Sequence, residues 1–299
     1  MAGLPKKILL AIDGSGDAKL AARIAVDLCA KTGSELHVVH AWRPVIPPVV
    51  YPGAVPEVHR EPYEAEAREI LDAQTSGIEE AGAEIRCKYL REGPPVDTIL
   101  DLAVDLGAGL ILLGRRGMGR MRRLLLGSVS EGVVHHARCP VLVADGEGSW
   151  PPSRVVLADD ASVDAERACE LAAAIGKLFG AAGILVRAYP RRKELVQEGP
   201  FLLTRIVDDR LEGRGSLNRR ARELARILGS QPEVRSVAGE AAPAIIRAAR
   251  EDAGPALIAM GSRGLGPIKR LRLGSVSSKV LRVADGSILI YPHLGNDGG

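Results

Sequence analysis

The sequence has few aromatic residues: 2 Phe, 2 Trp and 5 Tyr among 299 positions. Its core must be built from Ala, Val, Leu and Ile, and the stacking platforms used by single-strand nucleic-acid binders are missing. It also lacks charge of one sign. Lys and Arg number 40 against 37 Asp and Glu, a formal balance of +3, too weak a field to advertise nucleic acid or a membrane surface as partner. The four cysteines, Cys29, Cys87, Cys139 and Cys169, lie far apart with no C-x-x-C. That spacing speaks against a disulfide framework or a zinc site and fits a reducing compartment. Long hydrophobic runs are absent too. The most apolar stretch, 171–188, contains Lys177 and Arg187, so no membrane span is expected. The apolar run between Lys7 and Asp13 is too short for a signal-peptide core. A soluble, cytoplasmic protein is expected.

What remains is ordinary globular composition, 46% hydrophobic and 26% charged, in a chain long enough for two domains of about 150 residues. An internal repeat dominates it. A shift of 147 residues lays KILLAIDGSGDA (7–18) on RVVLADDASVDA (154–165), and GRRGMGRMRRLLLGSVS (114–130) on GSRGLGPIKRLRLGSVS (261–277), with 11 of those 17 positions identical. Two distant segments keep one offset, so the halves share an architecture. The Gly/Pro/Ser stretch at 145–153 reads as a linker, giving domains at 1–147 and 152–294.

Within each half, short apolar runs alternate with helical patterns. The first half reads as strands at 7–12, 35–42, 84–90, 109–113 and 139–144, with helices at 17–31, 63–81, 95–106 and 127–138. The second reads as strands near 154–159, 183–188, 233–238, 256–260 and 287–291. Such alternation predicts an α/β fold, a parallel sheet wound on both faces by right-handed crossovers. Ligands of such sheets bind beyond the carboxyl ends of the strands, where the winding reverses. Asp13 and Gly114 lie at two such ends.

The segment 114–130 is unusual for a connector. Gly114, Gly117 and Gly127 lead into a helix opening with Ser128, Val129 and Ser130. Glycines let backbone N–H groups approach a ligand, and a helix N-terminus favours phosphate. Arg115, Arg116, Arg120, Arg122 and Arg123 add charge, and Arg263, Lys269 and Arg270 repeat part of it. The alternative is turn chemistry for the glycines and N-capping for the serines. No G-x-x-x-x-G-K-[ST] occurs, and the dinucleotide fingerprint fails at its third glycine. The spacing that remains is G-x2-G-x9-G-S, at Gly114/Gly117/Gly127-Ser128 and at Gly261/Gly264/Gly274-Ser275. On this reading an Ala at Gly114 or Gly261 cuts nucleotide binding in its own half at least about tenfold and leaves the fold intact, whereas a glycine needed for its backbone angle would cost stability instead.

That spacing, with an Asp after the first strand, resembles the ATP-binding branch of the universal stress protein family, in a tandem two-domain form covering nearly the whole chain. The resemblance implies two Rossmann-like domains, each a five-stranded parallel sheet of order 3-2-1-4-5. It implies ribose hydroxyls on Asp13 and Asp160, and adenine near Ala11 and Ala41 or Ala158 and Ala188. Leu113 and Met260 would line the pockets. Phosphates would lie on the glycines with Ser128, Val129 and Ser130, and on Ser275, Val276 and Ser277, by backbone and hydroxyl donors, with Arg116 and Arg263 adding charge. The implied ligand is ATP with Mg²⁺. Departures are Gly109 and Ala256 in place of an acidic residue, Ser287 where the first half has Pro140, and a poor match over 190–218.

Other chemistry is weaker. His37 and His40 lie three apart on a strand and point to opposite faces, and His135 and His136 fall on a helix surface, so no metal site is expected. No catalytic residues are assigned: no Ser/His/Asp arrangement, carboxylate pair or general base aimed at a γ-phosphate can be placed. The expected function is an ATP-binding stress-response regulator whose occupancy couples to conformation or to a regulatory protein partner. The rivals are a slow ATPase or phosphotransferase, and an assembly protein holding another adenine nucleotide. The last strands, near 141–144 and 288–291, are expected to pair antiparallel across the halves, and two chains to form a homodimer.

Overall fold

The computed structural model describes residues 3–44, 59–117, 126–145, 150–189, 192–198, 201–207, 210–251, 254–264 and 273–293. Its contacts divide the chain into two compact units, centred on Pro5–Trp150 and Pro151–Gly299.

The first unit runs β1 (Lys7–Ala11), α1 (Gly16–Thr32), β2 (Glu35–Trp42), α2 (Glu61–Glu80), β3 (Ile85–Glu92), α3 (Pro95–Leu106), β4 (Leu110–Gly114), α4 (Ser128–His136) and β5 (Val141–Ala144). All its strands are parallel, in the order β3-β2-β1-β4-β5. Helix α1 lies on β1, β4 and β5 and touches α2, whereas α3 and α4 touch each other. Both faces of the central strands are therefore covered, which is why KILLA and LILLG carry continuous apolar runs. Ile8, Leu9, Leu10, Leu110, Ile111 and Leu112 are fully buried, each contributing about 1.5–3 kcal/mol of hydrophobic stabilisation. The core is aliphatic, as the scarcity of aromatics requires.

The second unit runs β6 (Arg154–Ala158), α5 (Val163–Phe179), β7 (Ala182–Tyr189), β8 (Arg192–Glu198), β9 (Phe201–Val207), α6 (Arg210–Leu228), β10 (Glu233–Ala238), α7 (Ala241–Arg250), β11 (Ala256–Gly261), α8 (Ser275–Val283) and β12 (Ser287–Tyr291). Its sheet order, β10-β7-β6-β11-β12, is that of the first unit, again all parallel. Between β7 and α6 the described residues add an antiparallel hairpin, β8 with β9. It occupies the stretch where the halves cease to match, so one stretch without a repeat partner hid two strands.

Local signals set the helix ends. Ser15 and Ser162 sit at equivalent N-caps, their hydroxyls accepting from Ala18 N at 3.1 Å and Ala165 N at 3.2 Å, as capping serines do. The same helices end at Gly33 and Gly180, in left-handed geometry at φ 69° and 68°, where a side chain would be strained. Among the described residues no helix is long and apolar enough to cross a membrane.

Candidate functional site

The site begins at the carboxyl end of β1. The strand stops at Ala11, and Ile12 N still donates to Val39 O at 3.0 Å. Asp13 therefore lies in the turn rather than in the strand. Its Oδ1 accepts Ser15 N at 3.0 Å, across Gly14 at φ 86°. Its Oδ2 faces the loop after β4, because a Cβ built on Gly117 would stand 2.6 Å from that oxygen. The second glycine of the motif thus makes room for the aspartate, and the two strand ends meet as expected. Ser15 Oγ ties the loops together by donating to Arg116 O at 3.0 Å. The second unit repeats the arrangement. Asp160 Oδ1 accepts Ser162 N at 3.0 Å, and a Cβ on Gly264 would collide with Asp160 Oδ2. Ala161 replaces Gly14 and keeps the left-handed backbone, at φ 67°.

Gly114 and Gly261 behave differently from expectation. Neither has a positive φ, and a Cβ on Gly114 would meet Ala18 N at 2.7 Å and Asp17 C at 2.8 Å. On Gly261 it would meet Ala165 N at 2.9 Å and Arg263 O at 3.0 Å. These glycines let α1 and α5 lie against the ends of β4 and β11. The expectation that an Ala there leaves the fold intact is therefore corrected: the methyl strikes helix backbone.

The third glycines, Gly127 and Gly274, are the N-caps of α4 and α8, and neither helix has a side-chain cap. The first-turn N–H groups, on Ser128, Val129, Ser130 and on Ser275, Val276, Ser277, have no acceptor within their helices. The serines divide the work. Ser128 and Ser275 are exposed. Ser130 is buried and donates to Gly114 O at 2.7 Å, and Ser277 does the same to Gly261 O at 2.8 Å. The expectation of a phosphate-binding hydroxyl at Ser130 and Ser277 is corrected: each fastens the helix start to the strand end, leaving only its N–H.

Arg116 is also committed. Its Nε donates to Asp17 Oδ2 at 3.0 Å and its Nη2 to Asp145 Oδ1 at 2.9 Å, and Arg115 pairs with the same Asp145. Burial lowers the Arg116 pKa, but the hydrogen bond to Asp17 and the charges of Asp17 and Asp145 outweigh it, for a net rise. Its place as a phosphate cation is corrected to that of a clamp between α1 and β5. In the second unit Asp164, the equivalent of Asp17, pairs with His293 Nδ1 at 2.5 Å. Arg263 is half-buried in the loop. Arg120, Arg122, Arg123, Lys269 and Arg270 lie outside the described residues.

The apolar wall is in register. Ala11 lies beside Leu113 on β4 and Val39 on β2, and Ala158 beside Val186, with Met260 buried one residue beyond Ala259 on β11. Ala41 and Ala188 are half-buried near the ends of β2 and β7. In the second unit a cavity of about 640 Å³ opens between the end of β7 and the starts of α7 and α8. It is lined by Ala188, Ser275 and Val276, and by Glu240, Ala242 and Lys279, which the sequence did not reveal. Beneath the wall, Asp159 and Arg187 form a buried ion pair where the first unit has Ile12 and His40. Burial lowers the Arg187 pKa, the hydrogen bond and charge of Asp159 raise it, and the net shift is upward. His40 Nδ1 instead lies 2.8 Å from Ile12 O. Among the described residues no group of three His, Cys, Asp or Glu is placed to hold a metal.

The family model described as the universal stress protein family matches the chain twice, at residues 5–145 and 152–292. A universal stress protein of Thermus aquaticus is 38% identical over 146 residues, 46% of this chain and 97% of that protein. One of Synechocystis is 35% identical over 154 residues, 46% of this chain and 96% of its own. A solved universal stress protein from Archaeoglobus fulgidus aligns over 96% of this chain and 98% of its own, at 23% identity and a TM-score of 0.66. At that identity the likeness speaks for the fold alone.

Proposed function

Because the chain belongs to the universal stress protein family, twice over, we propose that it is a stress-response regulator that binds one ATP in each half. The observation that carries the proposal is the repeated meeting of Asp13 with Gly117 and of Asp160 with Gly264, each beside a helix start without a side-chain cap. In this reading Asp13 and Asp160 accept from ribose hydroxyls. Ala11, Ala41 and Leu113, or Ala158, Ala188 and Met260, bound the adenine. The N–H groups of Ser128–Ser130 and Ser275–Ser277, with the exposed hydroxyls of Ser128 and Ser275, hold the phosphates through charge-assisted hydrogen bonds.

Mg²⁺ enters with the nucleotide, since it prefers phosphate oxygens and its own waters to an all-protein cage, and it supplies charge neutralisation there. Occupancy acts by coupling to conformation or to a regulatory partner in the cytoplasm, with two chains associating as a dimer. The proposal is of a binding module, not an enzyme. The rival, slow ATP hydrolysis on the same residues, predicts turnover that an Asp13→Asn variant loses.

The test is to denature freshly purified chain and identify the released small molecules by chromatography and mass, and to titrate stripped chain with MgATP. Two equivalents of ATP are expected. A chain that releases no nucleotide and binds no added MgATP rejects the proposal.

A further inference from the structure

The two halves differ at the mouth of the site. In the second unit Glu240, the N-cap of α7, does not cap its own helix. Its carboxylate instead accepts from Lys279 Nζ at 3.1 Å, and both residues line the 640 Å³ cavity with Ser275 and Val276. Lys279 lies four residues after Ser275 on α8, so the two share one face of the helix, a turn apart. In the first unit the N-cap of α3 is Pro94, and the position equivalent to Lys279 is Gly132. Gly132 has no side chain to offer a ligand, and a Cβ there would stand 2.7 Å from Val96 Cγ2, so that Val96 would have to move. Counted from the helix starts at Pro95 and Ala241, the residue equivalent to Val96 is Ala242, a lining residue of the cavity. Where the first half has Val96 against Gly132, the second has a smaller Ala242, a lysine and an opposing carboxylate.

Resting on the reading of the second half as a nucleotide site, we infer that Lys279 gives that site selectivity for phosphate number. In the free chain Glu240 holds the ammonium across the mouth. When a polyphosphate lies on the start of α8, Lys279 turns to its outer phosphate and Glu240 is released to solvent. The exchange is inexpensive on the protein side. The side chains of Glu240 and Lys279 are 76% and 52% exposed, and exposed ion pairs of this kind contribute little. A lysine contact with phosphate oxygens is charge-assisted and stronger than the contact it replaces. Glu240, left unpaired, is already in water. The second half therefore discriminates ATP from AMP more sharply than the first, where Gly132 has no side chain.

The test is calorimetric titration of the stripped full-length chain with ATP and with AMP. In the Lys279→Met variant one of the two ATP equivalents should weaken by at least about tenfold, about 1.4 kcal/mol, while the other equivalent and both AMP affinities stay unchanged. Lys279→Arg should restore most of the loss, and Glu240→Gln, which frees the ammonium, should tighten the same ATP equivalent severalfold. The weakened equivalent should also be the more salt-sensitive one in the parent chain. ATP affinities that Lys279→Met leaves untouched would overturn the inference and leave the two-site reading standing. Equal losses for ATP and AMP would overturn it too, making Lys279 a structural residue. A parent chain that binds no adenine nucleotide overturns both.

Discussion

Placing a single methyl group at Gly114 should destabilise the first unit, although Gly114 has no unusual backbone angle. The added carbon would stand 2.7 Å from Ala18 N, 2.8 Å from Asp17 C and 2.9 Å from Asp17 Cβ. Comfortable separations between such atoms are about 3.5–4.0 Å, so the first turn of α1 must retreat by roughly 1 Å. Two of those three atoms are backbone, and no side-chain rotation relieves the clash. Overpacking of this kind costs about 1–3 kcal/mol. The loss of glycine's freedom in the unfolded chain returns about 0.4–1 kcal/mol. The net is a loss centred on about 1.3 kcal/mol and at most about 2.6 kcal/mol, or roughly 3–5 °C in Tm at about 2–4 °C per kcal/mol for a unit of this size. Gly16→Ala is the matched control, because a Cβ there meets nothing within 4 Å and the substitution should stabilise by about 0.4–1 kcal/mol. Both are read from calorimetric melts of nucleotide-free chain beside ATP titrations. ATP affinity in Gly114→Ala should fall as well, since α1 carries Ser15 and Asp17, which fasten Arg116. If Gly114→Ala melts like its parent and only ATP binding is lost, the glycine serves the ligand directly and the packing account is wrong.

Gly117→Ala should do the opposite. Its methyl meets only the end of the Asp13 side chain, so Tm without nucleotide stays within about 1–2 °C while calorimetry shows at least about tenfold weaker ATP binding in the first half; a normal ATP affinity would remove Asp13 from the site. Ser130→Ala forfeits the one hydroxyl proton that Gly114 O and Arg115 O share and should lower the urea-unfolding free energy by about 1–2 kcal/mol. Ser128→Ala should leave the urea curve unmoved and weaken ATP, and identical behaviour of the two serines would refute the division of roles. Ala161→Gly relieves a left-handed alanine at φ 67° and should raise the second unit's stability by about 0.5–1 kcal/mol in the same denaturation assay; a drop would mean the alanine methyl makes contacts that outweigh its strain.

The sheet was legible because its signals are local and doubled. The apolar runs of β1, β4, β6 and β11 are uninterrupted where helices cover both faces, and β2, α3, β10 and β12 fall where periodicity and punctuation place them. The hairpin β8–β9 was not legible, because its sequence matches nothing at the repeat offset in the first half and repeat logic is silent there. At the site, the sequence puts Asp13 and Gly117 after two strands whose ends the structure brings together, but it does not say what each glycine or serine does. A glycine that admits a helix and one that admits a carboxylate look alike in sequence, and so do a serine facing solvent and one facing a carbonyl. Arg116 looked like a phosphate cation because Asp17 and Asp145, which hold it, are 99 and 29 residues away. Glu240 and Lys279 were invisible for a related reason: what marks them is their difference from Pro94 and Gly132, whereas the repeat drew attention to what is shared.

The buried pair of Asp159 and Arg187 bears on how the duplicated halves can evolve. Restoring the first half's histidine at 187 alone leaves a carboxylate sealed without its cation, and restoring isoleucine at 159 alone strands a guanidinium. Either step costs about 3–5 kcal/mol, a large share of a domain's stability. Changed together, the two positions return to the arrangement that His40 and Ile12 already support. Recombination between tandem copies tends to homogenise them, but a crossover falling between codons 159 and 187 would produce one of the stranded forms. The ion pair therefore restricts such exchange to tracts that span both codons or neither, and ties together the divergence of two positions 28 residues apart.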